Sequence, residues 1–563
     1  MISQCALAGC LMISLVAQAI GETPARGPIR DADTRDWWKI TADLSGDDME
    51  GRDTGSPGHA RAVTYVTARF KAAGLKPAGD AGAFTQTLRL HEVRVESQGT
   101  DFTVVRNAGG EARLRFLHEI SVRASESLPA TLDAPMSFRG YCSASEMGTD
   151  LNGKIAVCFG GRRHGVPNAS ERLAAASAAG AVGLVAVDDP GFTMEPARWP
   201  DAYARTVTLA ESPAAPAAAI PVMRVGAPAF AELILGSGHA AEEILAAGAA
   251  SRPLPSFEVP ARLRAAFRIS QRDYASDNVL ALLPGTDPRV GKEIVVVSAH
   301  LDGYGRGEPV DGDDLYNGTL DDAAYVATLI RLAEQRHGHG FHRSVLFAAF
   351  TGEEKGLLGA TGFTRHPTVP RTELVADINL DQLRPLFPLK ILTMHAVDDT
   401  TLGATARIVA AGMHIEMRRD MEPERNLNQR ADHWPFLQMG IPATGFVFGY
   451  DAGTDAERRY REWYQVRYHR PQDDLTQPVD FEAAADFNRF FYRFAQAVSD
   501  AAERPAFNYS SLRDSPCGPP RSRRSIRPDG RISDRELSAR RARVCPKWAW
   551  GTHARLTPEP ATR

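Results

Sequence analysis

Apolar positions along this chain fall into two periods that alternate from segment to segment. Val63, Val66 and Phe70 recur at helical spacing, and Gly74 supplies a stop, so the stretch from about 30 to 95 reads as helical. From about 275 to 500 the pattern changes. "EIVVVSAHLD" is a continuous β-branched run, as a strand buried on both faces requires. "AYVATLIRLAEQ" then places Val326, Leu329, Ile330 and Ala333 on one helical face, and "SVLFAAF" follows as the next strand. "LVADINL" and "IPATGFVFG" are further strand candidates. This rhythm predicts an α/β fold whose mixed, mainly parallel sheet is flanked by helices.

Texture divides the rest. Residues 1–19 form an apolar leader ending in the small-x-small run Val-Ala-Gln-Ala, which predicts a signal peptide cleaved near Ala19 and a secreted or periplasmic protein. Residues 30–129 read as an amino-terminal part of the main unit. Residues 130–255 are rich in Ala, Gly and Val, with "GKIAVCFGG" as a buried strand and "ASERLAAASAAGAVGLVAVDD" as a helix then a strand. That segment clusters few acids or histidines and ends at the Pro-rich "ASRPLPSFEVP". Residues 256–505 hold the α/β rhythm, and 506–563 are a basic stretch without apolar period, expected to be solvated and disordered.

Bulk composition narrows the function. At 563 residues the chain is too long for one core. Its 43% hydrophobic and 24% charged residues are those of a globular protein, and a net charge of −4 gives no case for a specific nucleic-acid partner. After the leader, no apolar run is long and uncharged enough to predict an integral membrane segment. Cys142, Cys158, Cys517 and Cys545 are an even set without Cys-x-x-Cys spacing. Three pairings are open, and the nearest-neighbour one is 142–158 with 517–545.

The chemistry gathers where the predicted strands end. Ligands bind beyond the carboxyl ends of strands in open α/β sheets. The first strand ends in His300-Leu-Asp302, and "DGDDLYNGTLDDAA" places Asp321 and Asp322 at a helix start. The next strand ends in Glu353-Glu354, "DINLDQ" ends in Asp381, and "RYHRPQDDL" delivers His469. Any one of these is ordinary; Asp321-Asp322, for instance, would cap a helix. Together, imidazoles and carboxylates on one sheet edge suit a pair of divalent metals, with a further glutamate left to take a proton. A second histidine group, His337, His339 and His342 in "RHGHGFH", precedes its strand and falls on the opposite edge.

"SAHLD", "YNGTLDDAA", "FTGEEKGLLGA", "NLD" and "YHRPQDD" resemble peptidase family M28, co-catalytic zinc peptidases that are mostly aminopeptidases. "LSGDDMEGRDTGSPGHARAVTYVTARFKAAGLKPAGD" resembles the opening of secreted members, and the Ala/Gly-rich insert resembles their protease-associated (PA) domain. The resemblance implies a peptide substrate and two Zn2+ ions. His300 and Asp381 would hold one, Glu354 and His469 the other, and Asp321 would bridge them, with a cis peptide to Asp322. It further implies Asp302 as the orienter of His300, Glu353 as general base, Tyr468 as oxyanion stabiliser, and Asp432 and His433 as supporting residues. "DDAAY" departs from the family's usual Asp-Asn-Ala-Ser-Gly, which puts the packing of that helix start in question. A glutaminyl-peptide cyclotransferase of the same fold and a non-catalytic peptidase-like binding protein are the alternatives.

Overall fold

The computed structural model describes residues 28–161, 165–190, 204–212, 220–381 and 383–508. The expected leader, the pair Cys517 and Cys545, and nearly all of the basic stretch lie outside them.

The main sheet runs, strand by strand, Ala443–Thr444, Leu374–Asn379, Ile294–His300, Ser344–Phe350, Ile269–Leu283, Thr85–Val95 and Arg205–Leu209, with Lys76–Pro77 also on Ile269–Leu283. The first four are mutually parallel; from Ile269–Leu283 outward the pairing is antiparallel. Every residue of Ile294–His300 and Ser344–Phe350 is buried, because helices cover both faces. On one face Val295, Val297 and Phe347 pack with Trp37, Phe70, Leu329 and Phe490 from the helices Ala32–Ser45, Pro57–Ala72, Ala324–Arg336 and Phe481–Asp500. On the other, Val296, Leu346 and Ala348 meet Phe363 and Phe436 from Leu358–Arg365 and His433–Gln438. Successive strand residues point to opposite faces, so one β-branched run serves both cores.

Two expectations change. The stretch from 30 to 95 is helical only to Ala72; Thr85–Val95 is a strand, since "TQTLRLHEVRV" turns Leu88, Leu90, Val93 and Val95 inward at a period of two. "IPATGFVFG" is two short strands in different sheets, Ala443–Thr444 in the main one and Phe446–Gly449 in a three-stranded sheet. They divide at Gly445, where a Cβ would come within 3.2 Å of the His433 ring.

A second sheet is ordered Glu111–Leu114, Asp101–Arg106, Ser256–Ala266, Thr131–Arg139, Ile155–Phe159, Gly183–Val187, Val222–Val225 and Ile120–Val122. It has its own core, including Phe102, Met136, Phe138, Val157, Val185, Met223 and Leu263. Cys142 and Cys158 form a disulfide beside it. The strand Thr85–Val95 leads into the second sheet, Ile269–Leu283 leads out of it, and Arg205–Leu209 joins the main sheet between them. The Thr206 hydroxyl donates to the Ala124 carbonyl at 2.8 Å and ties the two sheets beside the site.

Candidate metal centre

His300 is the last residue of its strand and is buried. Its Nδ1 lies 3.1 Å from the Asp302 carbonyl oxygen and 3.7 Å from the Asp302 carboxylate. A carbonyl only accepts, so Nδ1 carries a proton and Nε2 faces the site. There it meets Asp321 Oδ1 at 3.4 Å. Asp302 has two further duties: it accepts from the Thr54 hydroxyl at 2.9 Å and from the Glu353 backbone N–H at 3.0 Å.

Asp321 and Asp322 follow Gly318, whose φ of 62° belongs to the left-handed region. The peptide between the two aspartates is cis. Asp322 accepts the His300 backbone N–H at 3.0 Å. Glu353 and Glu354 lie in the turn after Ser344–Phe350, opened by Gly352 at φ 67°. Asp381 follows Leu374–Asn379. His469 follows the helix Asp455–Val466, and its Nε2 lies 3.3 Å from Asp321 Oδ2 and 3.4 Å from Glu354 Oε1. The Tyr304 hydroxyl meets its Nδ1 at 2.8 Å.

The fold thus brings together the side chains that the strand-end rule singles out. Ligand-capable atoms of His300, Asp322 and Asp381 lie within 4.8 Å of one another, as do those of Asp321, Glu354 and His469, and those of His300, Glu353 and Glu354. Tyr468 lines the same cavity and accepts from Arg430 at 3.2 Å. Asp432 and His433 are buried behind the site, with the His433 ring stacked on His395 at 5.3 Å. The "RHGHGFH" histidines precede Ser344–Phe350 and take no part.

Electrostatics set these groups apart. Burial, then nearby charges, pushes the Glu353 and Asp322 carboxyls well above the usual range. Burial and the neighbouring Asp321 raise Glu354 to about 8. Burial would also raise Asp321, but Arg384, His300 and His469 outweigh it and hold that carboxyl well below its ordinary value. Five carboxyl groups in so small a buried space need positive charge beyond one arginine and two imidazoles.

Sequence reasoning missed the side chains that hold the loops in place. Asp473 accepts the Leu320 and Asp321 backbone N–H groups at 3.0 and 3.1 Å, and the Gln477 amide at 2.7 Å. Arg384, fully buried, lies 3.4 Å from Asp321 Oδ2 and covers the Trp463 ring. Arg52, also fully buried, donates to the carbonyls of Leu44, Leu301, Asn317 and Gly318 at 2.7–2.9 Å. Asp473 stood within "YHRPQDD" and Arg52 within "EGRDTGS", where each reads as an ordinary loop charge.

The family model for peptidase family M28 matches residues 278–495. A probable zinc metalloprotease of Pyrenophora tritici-repentis is 28% identical over 207 residues, covering 31% of this chain and 46% of that protein. Leupeptin-inactivating enzyme 1 of Streptomyces exfoliatus is 25% identical over 207 residues, covering 35% and 43%. The chain therefore spans less than half the length of these curated relatives. Among solved structures, an aminopeptidase from Aneurinibacillus sp. strain AM-1 superposes with a TM-score of 0.56 at 16% identity, over 84% of this chain and 95% of that one. The zinc aminopeptidase BSAP of Bacillus subtilis gives 0.53 at 16% identity, over 83% and 94%. These two likenesses establish the shared mixed α/β fold. The segment that matches the model of peptidase family M28 contains both histidines and all five carboxylates of the cluster.

Proposed function

We propose that this chain is an exported zinc exopeptidase that removes amino-terminal residues from peptides. One observation carries the reading: His300 Nε2, Asp321 Oδ2 and Glu354 Oε1 are buried without a hydrogen-bond partner among the described residues, within a cluster of imidazoles and carboxylates on one cavity. Neutral imidazole and carboxylate oxygen are the donors that zinc takes. His300 and Asp381 would hold one ion, Glu354 and His469 a second, and Asp321 would bridge. When bound, the ions polarise the scissile carbonyl and lower the pKa of water at the site.

The chain's own residues supply the rest. The Asp302 carbonyl fixes the His300 tautomer, and its carboxylate holds the Glu353 backbone. Glu353, whose burial raises its proton affinity, takes the proton of the attacking water and returns it to the leaving amine. Tyr468 lines the cavity, and its hydroxyl would donate to the substrate's carbonyl oxygen. The second sheet is read as a PA-like unit, and the Cys142–Cys158 disulfide agrees with an oxidising compartment.

A zinc-loaded preparation given a peptide library is expected to shorten peptides from the amino end. Shortening from the carboxyl end would move the reading to a carboxypeptidase. Cyclisation of amino-terminal glutamine at one zinc per chain would move it to a cyclotransferase, and zinc-independent peptide binding without turnover to a binding protein.

Chelation gives a separate test. Glu354 titrates near 8 against an ordinary 4.5, so between those values the folded state keeps a proton that the unfolded state has lost. Stability of chelator-treated protein therefore falls as pH rises through that window. The buried imidazoles of His395 and His433, lowered by burial and by neighbouring Arg425 and His395 respectively, oppose this only below about 6.5. From pH 6.5 to 8 the loss is expected to be on the order of 2 kcal/mol, and zinc, which favours the ionised carboxylate, should abolish it. Thermal midpoints against pH, with and without zinc, decide the matter: parallel curves would remove Glu354 from the metal site.

A further inference from the structure

The carboxylate cluster shares its cavity of about 620 Å³ with residues of the second sheet. The second sheet contributes its edge strand Ile120–Val122 and the neighbouring strand Val222–Val225. Ile120–Val122 pairs antiparallel with Val222–Val225, Ser121 opposite Arg224 and Val122 opposite Met223. The Arg123 backbone N–H donates to the Val222 carbonyl at 2.9 Å, extending the pairing by one residue. Met223 is buried in the second unit's core, so alternation turns Val222 and Arg224 to the other face, and Ser121 and Arg123 with them. These four residues line the cavity.

Arg123 and Arg224 are consequently diagonal neighbours on one face, a spacing that long side chains easily bridge. Like charges so placed repel unless an anion lies between them. The other cations on the cavity are already committed. Arg205 lies 2.8 Å from Asp53 and 3.5 Å from Glu92, and Lys355 lies 3.1 Å from Asp53. Arg430 donates to Tyr468. Arg224 is held by Asp188 at 2.6 Å yet its side chain remains 47% exposed. Arg123 is exposed, and its side chain forms no hydrogen bond or ion pair with the described residues. Every acid on the cavity, Asp321, Glu353, Glu354 and Asp381, belongs to the carboxylate cluster rather than to the second sheet.

We infer that Arg123 and Arg224 form a carboxylate-reading subsite on the second sheet, which receives a negatively charged group of the peptide beyond the scissile bond. The inference rests on the peptidase reading of the carboxylate cluster. Guanidinium forks match a carboxylate bidentately. The preferred substrates are short peptides carrying an acidic side chain or a free terminal carboxylate at that distance. The second sheet then acts as the specificity wall of the peptidase.

Calorimetric titration of the full chain in its zinc-loaded Glu353→Gln form, which keeps peptides intact, tests this independently of turnover. Three probes separate the sources of charge: Leu-Ala-Asp-Ala-amide, Leu-Ala-Ala-Ala free acid, and Leu-Ala-Ala-Ala-amide. One or both charged peptides are expected to bind about 10- to 100-fold more tightly than the neutral amide, as charge-assisted hydrogen bonds allow. Whichever charged peptide wins identifies the group that is read. Added to this form, Arg123→Ala with Arg224→Ala should bring the ratio close to one, and Arg123→Glu should turn preference towards Leu-Ala-Lys-Ala-amide. Arg289→Ala, a distant exposed arginine, should leave the ratio as it was. Equal affinity for all three peptides, or a ratio that survives the double substitution, overturns the inference. Wild-type turnover separates the two readings. Cleavage without charge preference leaves the peptidase and removes the subsite. Charge-selective binding without cleavage does the reverse.

Discussion

Glu353→Gln is expected to slow peptide hydrolysis by about 10²–10⁴-fold, the usual contribution of a positioned general base, while bound zinc is retained. Glutamine keeps the shape of the side chain but cannot accept the proton. The turn should stay in place, because its anchor is the Glu353 backbone N–H on Asp302, which the substitution does not touch. The contrast lies one residue on. Glu354 faces His469 at 3.4 Å and clusters with Asp321, so Glu354→Gln should lower zinc content as well as rate. Turnover of an aminoacyl chromogenic substrate, paired with zinc content by atomic absorption, reads both. Full activity in Glu353→Gln would end its role as base. Loss of zinc in that variant would make it a ligand, since His300, Glu353 and Glu354 also lie within coordinating reach of one another.

Arg52→Met is expected to cost about 3–5 kcal/mol of stability, as removal of one partner from a buried charged network does. The guanidinium joins three separate pieces of chain: the end of Ala32–Ser45 through Leu44, the strand end through Leu301, and the Asp321 loop through Asn317 and Gly318. Methionine fills the volume but leaves four buried carbonyls without that donor. It also removes a cation that faces Asp473, Asp302, Asp322 and Asp321, although burial lowers the Arg52 pKa to about 10. Arg52→Lys should recover little, because one ammonium lacks the planar fork that reaches carbonyls on several sides. Chemical denaturation of the two variants beside wild type measures this. A loss below about 1 kcal/mol for Arg52→Met would show that the carbonyls find other donors.

How much of this was legible beforehand follows from the range of each interaction. "EIVVVSAHLD" and "SVLFAAF" announce strands because burial on both faces demands apolar residues at every position, a local signal. The acids and histidines at their ends were legible once the sheet was taken as parallel there, since parallel strands present one common edge. Thr85–Val95 was missed because alternation begins only after a helical stretch. "IPATGFVFG" reads as one strand until the His433 ring beside Gly445 is known.

The sequence by itself determined the order of chemical groups along the chain: His300, Asp302, Asp321, the paired glutamates, Asp381 and His469, each tied to a strand end or turn. Each depends on short-range pattern, on apolar period and on glycines such as Gly318 and Gly352 that permit left-handed turns. Only the tertiary structure decided what holds those groups and what faces them. Arg52 meets Gly318 across 266 residues, Asp473 meets Asp321 across 152, and Arg123 and Arg224 line the cavity of the cluster from another sheet. Contacts of that range leave no periodicity in the chain, because a buried arginine and a solvated one are written with the same letter.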